Sequence, residues 1–153
     1  KRDMLLVALA EPMRRRGNGQ LAFVSSIAGM APLPDAPAYC ASKAAARLYA
    51  QSLRIWLEPY GVKVSVITPG HIDTPMNTRF QGPKPLRVSA EKAAKIIKKG
   101  LERNKAEIVF PKYFFHTQRL LVLLPAFLQG RILKSSARFT VKPDQDSPLA
   151  HQD

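Results

Sequence analysis

The sequence predicts an α/β fold: a parallel sheet with helices on both faces. Three observations carry that expectation. QLAFVSS, KVSVITP and AEIVF are short apolar runs of strand length bounded by turn residues, the second with β-branched residues throughout. Each is preceded by a longer stretch with helical periodicity, so the order is helix, strand, helix, strand, helix, strand. Connections that contain a whole helix return the chain parallel to the previous strand, and in the right-handed sense.

The first helix spans residues 2 to about 15. Met4, Leu5, Leu6, Leu9 and Met13 lie near one stripe, and Gly17-Asn18-Gly19 ends it. Its basic start and seven-residue apolar run imitate an export signal, but Asp3, Glu11 and the triple arginine at 14–16 break that pattern. QLAFVSS then makes a buried strand. The loop GMAPLPDAP holds three prolines and defers regular structure until Pro37. A long helix follows from about Tyr39 to Leu57, burying Ala44, Ala45, Leu48, Leu53 and Trp56, and closed by Pro59 and Gly61. KVSVITP is the second strand, ended by Pro69-Gly70.

Residues 70–88 read as a loop carrying Pro75, Gly82, Pro83 and Pro85, and so long a connection in a compact domain commonly serves function. Ser89 is placed to cap a third helix, SAEKAAKIIKKGLERN, whose Ala93, Ala94, Ile97 and Leu101 share a face. AEIVF is the third strand. Residues 112–142 form an apolar and basic extension of one or two helices, with Pro125 starting the second or kinking the first. The last eleven residues, 143–153, have the composition of a disordered tail. Residues 1–142 thus form one structural unit.

Composition narrows function less than pattern does. The 153 residues carry a formal charge of +13, with 14 basic and 3 acidic side chains between residues 84 and 142. Such an excess fits anionic partners or a solvated face. A nucleic-acid partner is disfavoured, because the cations lack interleaved stacking aromatics. The one cysteine, Cys40, excludes an internal disulfide and a cysteine-based zinc cluster, and favours a reducing, cytoplasmic compartment. The uncharged stretch from Leu120 to Gln129 is far shorter than the ~20 residues a bilayer span needs, which leaves residues 112–142 compatible with peripheral contact at a membrane surface.

Chemistry concentrates in AYCASK. Tyr39 and Lys43 stand at i and i+4, one above the other on a helix face, and a neighbouring cation favours a phenolate. Ser25 and Ser26 end the first strand at the sheet edge where ligands of open α/β sheets bind, thirteen residues before Tyr39. PGHIDTP leaves the second strand at the same edge, bringing backbone amides and the Thr74 hydroxyl to one crevice.

FVSSIAG, APAYCASK with its Tyr-x-x-x-Lys, and VITPGHIDTPM, in that order and spacing, resemble the short-chain dehydrogenase/reductase family over roughly residues 2–110. The resemblance implies a Rossmann-like doubly wound sheet, of which this chain holds about three strands. It further implies an NAD or NADP cofactor and a small-molecule carbonyl or alcohol substrate. By the same resemblance Tyr39 is the general acid or base at the carbinol oxygen, and Ser26 orients that oxygen. Lys43 lowers the phenol pKa and binds the nicotinamide ribose. Pro69, Gly70, Ile72 and Thr74 line the nicotinamide; His71, Met76 and Phe80 face substrate, the last two on a substrate loop over 70–88. The family's glycine-rich turn, Asn-Asn-Ala-Gly segment and catalytic asparagine are not matched, which implies the C-terminal part of a longer enzyme, inactive by itself. Family members commonly form homodimers or homotetramers through the helices before and after the serine strand. The competing reading is a non-catalytic scaffold or a membrane-surface module acting through residues 112–142.

Overall fold

The computed structural model describes residues 2–33, 36–74 and 86–136. Helix α1 (Arg2–Arg15) leads into β1 (Gly19–Val24), a 3₁₀ turn (Ile27–Gly29), α2 (Pro37–Leu57) and a second 3₁₀ turn (Glu58–Tyr60). Then come β2 (Val62–Pro69), the two-residue strands β3 (Ile72–Asp73) and β4 (Val88–Ser89), α3 (Ala90–Glu102), β5 (Glu107–Phe110), α4 (Lys112–Val122) and α5 (Ala126–Ser136). The main sheet has the order β1-β2-β5, all parallel, with Gly19 beside Val62 and Val66 beside Glu107 in register. The expected alternation of helix and strand is therefore present.

Helices cover both faces because β2 offers an apolar contact to each, three valines on one side and Ile67 on the other. Val62, Val64 and Val66 pack with Ala10 of α1 and with Ala50 and Leu57 of α2, while Met13, Leu21, Phe23 and Leu53 close around them. On the other face Ile67 joins Ala93 of α3, Val88, Ile108 and Phe110, flanked by Ile72, Ile96, Ile97 and Leu101. VKVSVITP alternates through Val62, Lys63, Val64, Ser65 and Val66, yet only Lys63 of its first seven residues is exposed, because helices cover most of both faces of the strand.

Two helix faces differ from the expected ones. In α2 the buried positions are Cys40, Ala50 and Leu57, while Leu48, Ile55 and Trp56 are exposed. The residues named as buried therefore divide: Leu53 packs on the core, whereas Ala45, Leu48 and Trp56 lie on the outer face. In α3 the inward face runs through Ala93, Ile96, Ile97, Gly100 and Leu101, with Ala94 outside. In both helices alanine is small enough to fit either side, so it does not fix the rotation of the stripe. Ser89 caps α3 as expected, its hydroxyl accepting from the Lys92 amide at 3.3 Å. Pro125 starts the second C-terminal helix, its carbonyl accepting from the Leu128 and Gln129 amides at 3.0 and 3.1 Å.

The end of α1 is tied by charge. Glu11 accepts from Arg14 at 2.8 Å and from Arg15 at 3.0 Å, and the Arg14 guanidinium sits 5.0 Å from the Tyr60 ring centroid. The hydrogen bonds from Arg14, then Arg15, hold the Glu11 carboxyl down to about 2. A depressed carboxyl contributes stability that is fully present above its unfolded value, near 4.5, and disappears as pH falls through the folded one. Glu11→Gln is therefore expected to narrow the stability difference from wild type as pH drops from 4.5 towards 2, measured by denaturant unfolding at each pH. A constant difference across that window would refute the coupling.

Candidate active site

The carboxyl ends of all three main strands meet at one edge. The Ser25 amide donates to the Ile67 carbonyl at 2.8 Å, extending the β1–β2 pairing one residue past β1. The Gly70 amide donates to the Phe110 carbonyl at 2.7 Å, continuing the pairing with β5. A Cβ added at Gly70 would meet Pro111 Cδ at 3.0 Å and Ile27 Cδ1 at 3.4 Å, so a side chain there would press on both the serine turn and the end of β5.

Ser26 stands at this edge as the N-cap of the 3₁₀ turn, in extended conformation, its hydroxyl accepting from the Ala28 amide at 3.2 Å. Its neighbour Ser25 is buried and donates its hydroxyl to the Lys43 carbonyl at 2.8 Å. The turn then presses onto α2, since a Cβ on Gly29 would lie 2.7 Å from the Lys43 carbonyl carbon. These two contacts fix the first turns of α2 against the end of β1. The sequence placed Ser25 at the strand end but did not reveal its partner or the role of Gly29; nothing in a lone glycine of a proline-rich loop announces a helix backbone beside it.

Tyr39 lies in the first turn of α2, 41% exposed, and Lys43 is half-buried one turn later. The Lys43 ammonium sits 5.6 Å from the Tyr39 ring centroid and donates to the Val24 carbonyl at 3.3 Å. Three hydrogens on that nitrogen leave two directions beyond Val24 for a ligand's hydroxyls. One turn further along the same face, Arg47 forms a bidentate pair with Glu107 of β5 at 2.7 and 3.1 Å, and Glu107 also accepts from the buried Thr68 hydroxyl at 3.1 Å. This network, not foreseen from sequence, clamps α2 across β2 to β5; the i+4 spacing of Arg47 from Lys43 and the lone acid opening AEIVF were its signals.

Pro69 ends β2 and Gly70 follows it at the carboxyl edge of the sheet. His71 offers its carbonyl to the Val88 amide at 3.0 Å, and the Ile72 side chain packs on the core below. Thr74 is exposed. The span read as a continuous loop over 70–88 is instead pinned at its base: Ile72 and Asp73 pair in parallel with Val88 and Ser89, and Arg87 bridges Asp73 at 3.2 Å. The pairing costs little chain, only two residues a side, which is why periodicity could not reveal it. Met76 and Phe80 lie outside the described residues, as does the 143–153 segment. Among the described residues no cluster of His, Cys, Asp or Glu could hold a metal ion.

This edge gathers an ammonium, a phenol and a strand-end hydroxyl, groups able to donate to the oxygens of a polar ligand. Comparison with known proteins points the same way. The family model for short chain dehydrogenases matches residues 4–84. An uncharacterized oxidoreductase of Myxococcus xanthus is 34% identical over 120 residues, covering 78% of this chain and 47% of that protein. A cyclopentanol dehydrogenase of Comamonas is 44% identical over 73 residues, covering 48% of this chain and 29% of that protein. The chain thus spans less than half the length of these curated relatives. A short-chain dehydrogenase from Burkholderia cenocepacia, solved with NADP, superposes with a TM-score of 0.68 at 26% identity, over 82% of this chain and 52% of that one. A parallel sheet with helices on both faces, a Ser-then-Tyr-x-x-x-Lys edge and a family match over more than half its residues agree: this chain belongs to the short-chain dehydrogenase family.

Proposed function

We propose that the polypeptide containing this chain is an NAD- or NADP-dependent oxidoreductase that interconverts a ketone and a secondary alcohol. The observation that carries this reading is the docking of α2 on the serine turn, through Ser25 Oγ to the Lys43 carbonyl and Gly29 against the Lys43 backbone. It brings the strand end bearing Ser26 and the helix bearing Tyr39 and Lys43 to one edge, beside Gly70. That the Burkholderia enzyme was solved with NADP supports the choice of cofactor class.

The bound nicotinamide would supply and accept the hydride. Everything else falls to this chain. In the reducing direction Tyr39 Oη donates its proton to the carbonyl oxygen as charge develops there, and in the oxidising direction it receives the proton back. Ser26 Oγ donates a hydrogen bond to the same oxygen and fixes its orientation. The Lys43 ammonium, 5.6 Å from the Tyr39 ring centroid, donates to the ribose hydroxyls. Pro69, Gly70, Ile72 and Thr74 flank the nicotinamide, through backbone groups at Ile72 because its side chain is committed to the core. His71 is assigned to the substrate side, and Met76 and Phe80, outside the described residues, keep the substrate-contacting role that the family resemblance implies. The exposed apolar face of α2, with Leu48, Ile55 and Trp56, supports a homodimer or a homotetramer built on it.

The test is turnover. The longest native polypeptide that contains this sequence is expected to consume reduced nicotinamide nucleotide in the presence of small cyclic or aliphatic ketones, followed by the loss of its near-ultraviolet absorbance. Absence of turnover with both NADH and NADPH across such a panel, in a folded preparation, would defeat the reading.

A further inference from the structure

From Ile108 to Pro143 the sequence contains no acidic residue and six basic ones: Lys112, Arg119, Arg131, Lys134, Arg138 and Lys142. In the middle of this run lies VLLPAFL, residues 122–128, the corner between α4 and α5. Corners of soluble proteins are usually polar, because the chain there faces water. Here Leu123 is 81% exposed and Phe127 70%, with Val122 and Leu128 exposed beside them.

The corner is built rather than loose. Gln129 Nε2 donates to the Leu124 carbonyl at 2.7 Å, and the Leu123 and Leu124 amides close the end of α4 onto Leu120 and Leu121 at 3.2 and 3.1 Å. Its backbone groups are thus largely satisfied locally, which a surface entering an apolar phase requires. Arg119 lies four residues before Leu123 and Arg131 four after Phe127, each one helical turn from the apolar tip and each exposed.

Apolar side chains at a tip, cations one turn behind them and no acid in the sequence from 108 to 143 form the pattern of an interfacial anchor. A polar small ligand would find few hydrogen-bonding side chains here. Among the described residues no helix is long and apolar enough to cross a membrane, so the corner would lie in the interface and not span it. We propose that the α4–α5 corner inserts Leu123 and Phe127 into the surface of an anionic phospholipid membrane, with Arg119 and Arg131 contacting the headgroup phosphates. The proposal is independent of turnover and stands or falls separately from the oxidoreductase reading.

The experiment is sedimentation of the full chain with phosphatidylcholine vesicles, with and without phosphatidylserine. The chain is expected to pellet with the phosphatidylserine vesicles and much less without them. Leu123→Asp combined with Phe127→Asp is expected to lower the partition coefficient at least about tenfold on both. Arg119→Gln combined with Arg131→Gln is expected to lower it about twentyfold on the anionic vesicles only. All four side chains are exposed, so circular dichroism should be unchanged in both variants. Failure of the wild-type chain to pellet, or equal pelleting of the aspartate variant, would overturn the proposal. So would a homodimer in light scattering that the aspartate pair dissociates while vesicle binding is unaltered, since that outcome assigns the corner to a second copy of the chain.

Discussion

Tyr39→Phe is expected to reduce nicotinamide-dependent turnover about 10²- to 10⁴-fold, the range that a positioned general acid or base typically contributes. The substitution removes one oxygen from a side chain 41% exposed, at the start of α2, so core packing is untouched. Circular dichroism and thermal unfolding of the variant should match wild type. The loss should fall on kcat with little change in the KM for cofactor, because the proton is transferred only in the transition state. Lys43 stays anchored to the Val24 carbonyl in the variant and can still donate to the ribose. Activity within about threefold of wild type would remove Tyr39 from the chemistry. A matching rise in KM would instead make it a binding group.

Much of this architecture was legible because the signals were redundant. The three main strands were legible as apolar runs of four to eight residues, and the helices between them had both periodicity and stop signals, as with Pro59 and Gly61 after α2, where Gly61 adopts φ 69°. Ser89 announced its helix by its own side chain. The positions of the candidate residues were legible through spacing: Tyr39 and Lys43 share a face by helix geometry alone, and Ser26 lies at a strand end. Other features depend on partners distant in sequence, which no local pattern encodes. Arg47 finds Glu107 sixty residues away, and the β3–β4 pair joins segments on either side of an eleven-residue undescribed stretch. The face of α2 was misjudged at Leu48 and Trp56 for a related reason: a helix apolar on more than one side has a buried stripe that only the packed sheet selects.

Gly29→Ala probes the contact on which the site's geometry depends. The added Cβ would sit 2.7 Å from the Lys43 carbonyl carbon and 2.9 Å from both the Lys43 oxygen and the Ala44 nitrogen. All three are backbone atoms of α2, so no rotamer change relieves the overlap, and either the helix or the serine turn must move by several tenths of an ångström. Overpacking of this kind typically costs about 1–3 kcal/mol, enough to lower the unfolding midpoint by several degrees. The displaced groups are Ser26 on one side and Lys43 with Tyr39 on the other. Misplacement of reacting groups by about 1 Å can cost on the order of 10² in rate, so turnover should fall about ten- to a hundredfold at a temperature where the variant remains fully folded. Gly130→Ala supplies the contrast: it lies within α5 with nothing within 4 Å of the new Cβ, and alanine there should be neutral or stabilising, with turnover unchanged. If Gly29→Ala behaved like Gly130→Ala in both measurements, α2 would not be held by the serine turn, and the convergence of Ser26 with Tyr39 and Lys43 would lose its physical basis.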